Sequence, residues 1–331
     1  MNELKIGVIG DGSWATAIVK ILLNNNKKIN WWIREQEIID HLLTYGHNPF
    51  YLSSVEFETD RLNLSNEIKD VVEQSDILVL VTPAAFLHKT LSKIPKEKFI
   101  NKTIVTGIKG IVPEYNIIVA DYLNSHFAVD FKNIIIVGGP SHAEEVAAEK
   151  ITYLTIASQN VSKAEMIASL FQCRHINACT SDDIFGTEYS AVIKNIVAIA
   201  CGICVGLGYG DNFQAVLVSN AIQEIKRFVD AVHPIQRDIK DSVYLGDLIV
   251  TAYSQYSRNR TFGNMIGKGY TVKFAQLEMK MIAEGYYAAK CIHEINETHH
   301  VYMPIADAVY NILYKNSPAA FEIKNLISKL S

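Results

Sequence analysis

Charged residues are scarce in this chain of 331: they make up 20%, against 49% hydrophobic. That balance excludes an intrinsically disordered protein, which would be poorer in apolar and richer in charged side chains. Long apolar runs are also missing. The longest strongly apolar stretch without Lys, Arg, Asp or Glu runs from Asn195 to Gly210 and closes on Gly206, Gly208 and Gly210, too short and too broken for a bilayer span of about 20 residues. The opening MNELKIGVIG has neither a basic n-region nor a small-residue cleavage site, so a cytoplasmic setting is expected and secretion is not. Five scattered cysteines, Cys173, Cys179, Cys201, Cys204 and Cys291, give neither a disulfide framework nor a four-ligand zinc site, and no metal is expected. With a net charge of −4 and no run of Lys or Arg, nucleic acid is an unsuitable partner, and an anionic ligand must be held by a local cluster. No repeat of fixed period and no low-complexity tract is present.

The length suits two domains with separate cores. In the first half, short apolar runs alternate with amphipathic segments, the pattern of βα units feeding a parallel sheet. Strands are expected near Leu4–Ile9, Ile29–Ile33, Asp76–Val81, Thr103–Thr106, Asn133–Val137 and Ile151–Ala157. They end respectively at Gly10, Arg34, Thr82-Pro83, Gly107, Gly138-Gly139 and Ser158. Ligands of open parallel sheets bind outside the carboxyl ends of the strands, so these endings are the first place to look for chemistry. From Asp182 onward the spacing is helical. The reading is therefore an α/β chain: a Rossmann-type, mostly parallel sheet domain over 1–181, then an all-helical substrate and catalytic domain over 182–331.

The segment KIGVIGDGSWATA sets Gly10, Gly12 and Ala15 in G-x-G-x-x-G/A spacing between a strand and a helix. Gly10 permits the turn, Gly12 lets backbone approach a pyrophosphate, and Ala15 keeps the helix close to the sheet. An NAD-specific fold places an acid at the end of the second strand; this chain has Arg34, which suits a 2′-phosphate or is a solvated strand-end arginine, followed by Glu35. Gly206-x-Gly208-x-Gly210 reads as a helix stop, and Cys201 and Cys204 as small apolar packing residues.

Lys194 is the only charged residue between Glu188 and Asp211, and its neighbours one turn away are Ser190, Ala191, Val197 and Ala198. A lysine there is either desolvated, able to exchange protons near neutral pH, or snorkelling to the surface. Asn195 orients a ligand or caps a polar contact. Lys109 stands between glycines at a strand end. Gly138-Gly139-Pro140-Ser141-His142-Ala143 brings amides and a hydroxyl to another, where His142 is a general base or a structural histidine. Ser141 lacks the G-x-S-x-G context of a hydrolase nucleophile. Leu245-Gly246-Asp247 and Ser257-Arg258-Asn259-Arg260 together can bind a phosphate monoester or form a solvated surface pair.

GDGSWATA, TGIKG, GGPSHAEEVA, AVIKNIVAIACGICVGLGYGDN, LGDLIVTAYSQYSRNRTFG and AEGYYAAK resemble, in this order, the motifs of the bacterial-type NAD(P)-dependent sn-glycerol-3-phosphate dehydrogenases. The resemblance runs from Ile6 to about Lys290. It implies reversible reduction of dihydroxyacetone phosphate to sn-glycerol 3-phosphate in the cytoplasm, with NAD(H) or NADP(H) and no metal, supplying the backbone of phospholipids; it leaves room for a homodimer. Matched position by position, it makes Lys194 the proton donor and acceptor. It assigns Lys109, Gly139, Ser141, Lys194, Asp247, Ser257, Arg258 and Asn259 to the phosphorylated substrate. Gly10, Gly12, Ser13, Trp14, Ala15, Arg34, Lys109, Ala143, Arg258, Ile282 and Glu284 fall to the cofactor. The chain departs from the pattern at Ala15, Ser53 and His142, and Asp241-Ser242-Val243-Tyr244 replaces the usual glycine-rich approach to Leu-Gly-Asp.

Two other readings compete. A related two-domain dehydrogenase acting on a 3-hydroxyacyl thioester or a sugar acid would use a histidine base, for which His142 is the candidate. A nucleotide-binding sensor without turnover would leave Lys194, Arg258 and Asn259 idle.

Overall fold

Isoleucine, valine and leucine runs bounded by glycine or polar turns become strands, because branched side chains fill a pleated sheet covered on both faces. The computed structural model describes residues 4–279 and 283–331. Its strands are β1 (Ile6–Ile9), β2 (Ile29–Trp32), β3 (Leu62–Ser65), β4 (Ile77–Leu80), β5 (Thr103–Thr106), β6 (Ile111–Val112), β7 (Ile117–Ile118), β8 (Ile134–Gly138), β9 (Thr152–Ala157) and β10 (Ile176–Ser181). Eight of them form one sheet in the order β10-β9-β8-β5-β4-β1-β2-β3. From β3 to β8 every pairing is parallel; β9 runs antiparallel to β8, and β10 parallel to β9. The order turns back at β1 and β4, the switch point where such sheets bind nucleotides.

By contact the chain divides into two units, residues up to Ile108 with Val119–Ile184, and Lys109–Ile118 with Phe185–Ser331. The first holds the sheet. The helix Ser13–Leu23 lies on it with Ala15, Ala17, Ile18, Ile21 and Leu22 buried, in a core that includes Ile6, Val8, Trp31, Val79 and Val105. The second is helical after Ser181, as expected. It contains Ile184–Gly206, Asp211–Val232, Asp247–Tyr253, Arg258–Gly267, Val272–Glu278, Glu284–His299, Pro304–Tyr314 and Ala319–Ile327. The helix Ile184–Gly206 is long and apolar enough to cross a membrane, but 89% of its most apolar stretch is buried inside the protein, which makes it a core helix.

Three sequence expectations change. β3 and β10 are additional strands: both carry polar residues on partly exposed edges, so neither shows a full apolar run. Because β9 is antiparallel, its end at Ser158 lies at the opposite edge from the ends of the parallel strands. Finally, β6 and β7 pair as a hairpin, Ile111 opposite Ile118, and the stretch Lys109–Ile118 belongs to the second unit although it interrupts the first.

Candidate active site

In the first unit, β1 ends on Gly10 with φ +142°, where a Cβ would sit 2.8 Å from the Val81 carbonyl oxygen; glycine alone fits. Gly12 is the N-cap of Ser13–Leu23, and a Cβ on it would meet nothing within 4 Å, so the space in front of the helix start is open. The opening amides of that helix have no acceptor within it, and its dipole favours an anion there. The Gly10–Ala15 turn therefore fits the pyrophosphate of a dinucleotide. Trp14 packs against the end of β5: a Cβ on Gly107 would lie 2.6 Å from its buried indole nitrogen. Arg34 lies just beyond β2, exposed, its Nε donating to Glu35 Oε1 at 2.8 Å. That guanidinium is accessible to a 2′-phosphate and equally to water. β8 leads to Gly139 at φ +101°; Ser141 Oγ donates to the Gly139 carbonyl at 2.9 Å, and Ala143, buried, begins the helix Ala143–Ala147 after His142.

The second unit brings three predicted residues together. Lys194, 4% exposed, donates from Nζ to Asp247 Oδ1 at 2.5 Å and to Thr251 Oγ1 at 3.0 Å. Lys109 Nζ reaches the other oxygen of the same carboxylate, Asp247 Oδ2, at 3.2 Å. Asn195 Nδ2 donates to the Lys109 carbonyl at 2.8 Å, tying the residue beside the buried lysine to the segment that carries the second one. Burial drives the Lys194 ammonium from 10.5 down to about 7; Asp247 opposes that shift and the charge on Lys109 adds to it. Burial acts to raise the Asp247 carboxyl, but Lys109 and Lys194 outweigh it and hold the group below its ordinary value. The desolvated lysine is thus the alternative the structure bears out, and it can exchange a proton near neutral pH.

Asp247 starts its helix after a π-helical turn, Ser242–Gly246, which replaces the glycine-rich approach. Ser257 caps Arg258–Gly267, its hydroxyl accepting from the Arg260 amide at 3.3 Å. Arg258 is exposed on the first turn, while Asn259 is buried and its Oδ1 accepts from the Gly285 amide at 2.9 Å, next to Glu284. Ile282 lies outside the described residues. Sequence reasoning missed Thr251; its signal was the four-residue offset that puts it on the same helix face as Asp247, whose carbonyl accepts from the Thr251 hydroxyl at 2.7 Å.

A glycine turn open in front of a helix start in one unit and a buried lysine brought to about 7 in the other are features that a nicotinamide-dependent dehydrogenase requires. Residues 5–164 match the family model for the N-terminus of NAD-dependent glycerol-3-phosphate dehydrogenase, and residues 183–324 the model for its C-terminus. The chain belongs to this family. A glycerol-3-phosphate dehydrogenase (NAD(P)+) of Agathobacter rectalis is 32% identical over 323 residues, covering 98% of this chain and 95% of that one. The protein of the same name from Bacillus velezensis is 30% identical over 331 residues, covering 98% and 94%. The crystal structure of glycerol-3-phosphate dehydrogenase from Coxiella burnetii superposes with a TM-score of 0.91 at 27% identity, covering 98% of this chain and 99% of that one. These matches do not favour a hydroxyacyl thioester or sugar acid dehydrogenase.

Proposed function

We propose that the chain interconverts dihydroxyacetone phosphate and sn-glycerol 3-phosphate with NAD(H) or NADP(H), providing the backbone for glycerophospholipids. The observation that carries the chemistry is Lys194, buried between Asp247 and Thr251 with its ammonium brought to about 7. When bound, the nicotinamide supplies or accepts the hydride. In the reducing direction Lys194, as ammonium, stabilises the negative charge that grows on the ketone oxygen and gives it a proton; in the oxidising direction neutral Lys194 takes the proton back. Asp247 holds the Lys194 side chain in place, and its shared contact with Lys109 keeps both cations on one carboxylate.

The remaining assignments follow the same reading. Gly10, Gly12, Ser13, Trp14, Ala15, Arg34, Ala143 and Glu284 serve the dinucleotide. Gly139, Ser141, Ser257 and Asn259 serve the substrate, and Lys109 and Arg258 serve both. Phosphate held by Arg258 is remote from the reacting carbon, so its binding energy is used to position the ketone. Five free thiols, with Cys201 and Cys204 buried, suit a reducing cytoplasm.

The test is oxidation of NADH and of NADPH with and without dihydroxyacetone phosphate. Turnover should require the phosphorylated ketone, with unphosphorylated dihydroxyacetone a poor replacement. Dinucleotide binding with no turnover would make the chain a sensor, and turnover only with a 3-hydroxyacyl or sugar-acid substrate would transfer it to the competing class.

A further inference from the structure

Each carbonyl oxygen of the Gly10-Asp11-Gly12 turn is held by a donor. Trp31 Nε1 donates to Gly10 at 2.7 Å, Asn48 Nδ2 to Asp11 at 3.2 Å, and Thr16 to Gly12 through its amide at 3.0 Å and its hydroxyl at 3.1 Å. In a trans peptide the carbonyl and the next N–H share a plane and point in opposite directions. A donor that pins the carbonyl therefore aims that N–H away from itself. By this geometry Asn48 aims the amide of Gly12, the residue whose missing side chain leaves open space.

Trp31 and Thr16 reach the turn from the adjoining strand and from the helix the turn opens. Asn48 comes from 37 residues away, on the loop after the helix Gln36–Tyr45, and is 0% exposed. Both ends of its amide are engaged. Oδ1 accepts from the amides of Phe50 at 3.0 Å and Tyr51 at 3.2 Å, while Nδ2 donates to Thr16 Oγ1 at 3.2 Å as well as to Asp11. Two amide donors demand the oxygen on one side and a backbone carbonyl demands the nitrogen on the other, so the side chain has a single orientation. Asn48 thus links this loop, the turn and the first helical turn at one point.

We propose that Asn48 is a positioning residue for the dinucleotide: by pinning the Asp11 carbonyl it directs the Gly12 N–H at the pyrophosphate. The proposal deepens the dinucleotide reading above and rests on it. Its signature is a split between cofactor affinity and turnover, since the Asn48 side chain bonds Asp11, Thr16, Phe50 and Tyr51, none of which is assigned to the ketone or to proton transfer.

The experiment measures Kd for NADH and NADPH, kcat at saturating dinucleotide and KM for dihydroxyacetone phosphate in the full chain. Three variants are compared with wild type: Asn48→Ala, Asn48→Ser and Asn30→Ala. Serine keeps an acceptor for the Phe50 and Tyr51 amides but cannot reach Asp11, so it decides the matter should the alanine variant fail to fold. Asn30, buried on β2 and bonded to the Gln74 carbonyl and Ser75 Oγ, controls for loss of a buried amide elsewhere in the same unit. Both Asn48 variants should raise the Kd of each dinucleotide on the order of tenfold, with kcat and the ketone KM within about twofold; Asn30→Ala should lower Tm and leave Kd alone. A folded Asn48 variant with wild-type Kd overturns the inference, as does an equal Kd rise in Asn30→Ala. A wild-type chain that binds neither dinucleotide overturns the proposed function and this inference with it.

Discussion

Lys194 and Lys109 share the two oxygens of one buried carboxylate, so the local charge is positive while Lys194 is protonated and balanced once it is not. Lys194→Ala should lower kcat by at least ~10² with dinucleotide Kd nearly unchanged, because proton transfer contributes on that scale and the cofactor is held by other groups. A variant with near-normal kcat would remove the assignment. With a Lys194 value of about 7, ketone reduction needs the protonated form and should decline as pH rises through that value. Alcohol oxidation needs the neutral form and should increase over the same range. Parallel pH profiles in the two directions would contradict the mechanism. The phosphate-binding role proposed for Arg258 has a separate test: Arg258→Ala should cost kcat/KM roughly 2 to 4 kcal/mol with the phosphorylated ketone and erase most of the preference over dihydroxyacetone. If the preference survives, the phosphate is held by other groups, Lys109 first.

At the scale of elements, two helices cross through glycine. Cβ atoms added to Gly202 and Gly263 would collide with the Arg260 and Ile199 carbonyls of the facing helix, and Gly206 and Gly267 approach each other in the same way one turn on. This seam fixes the helix bearing Lys194 against the one bearing Asn259. Gly263→Ala should force them apart, cost roughly 1 to 3 kcal/mol of stability by overpacking and reduce kcat/KM as well; chemical denaturation and kinetics check both, and unchanged stability would refute the seam. The same glycines show where reading a sequence stops. Gly206 read as a helix stop, and Ile184–Gly206 does end there with Gly208 at φ +88°; its packing role was hidden because the partner stripe, Gly263 and Gly267, lies far along the chain and only tertiary contact pairs them. Lys194 stood out because it is the one charge in the apolar helix after Glu188, and that is a local signal. Gly10 and Gly12 were legible for the same reason. Thr251 and Asn48 were not, since each acts through a partner on another element, and β10, INACTS, has the composition of a turn and becomes a strand by pairing with β9.

For the whole molecule, stability has its own pH dependence. Glu224, buried in the second unit, accepts the amides of Ile305 and Ala306 at the start of Pro304–Tyr314, each at 2.9 Å. Burial nevertheless raises its carboxyl from 4.5 to about 7. Between those values the folded chain keeps a proton that the unfolded chain has lost, so stability falls as pH rises through the window and stays reduced above it. Glu224→Gln keeps an acceptor without the charge; its Tm relative to wild type should improve from about pH 5 to about pH 8, and parallel curves would refute the account. The path of the chain has a consequence of another kind. Lys109–Ile118 belongs to the second unit, where Lys109 meets Asp247 and Asn116 meets Glu294. On the ribosome the sheet's last strand emerges long before those partners do, at roughly 5 to 20 residues per second. For a time on the order of ten seconds the nascent chain carries a finished sheet from which a short hairpin hangs unfilled. That interval is when a chaperone would find it, and the first lysine of the site waits for a carboxylate made 138 residues after it, on the helix Asp247–Tyr253.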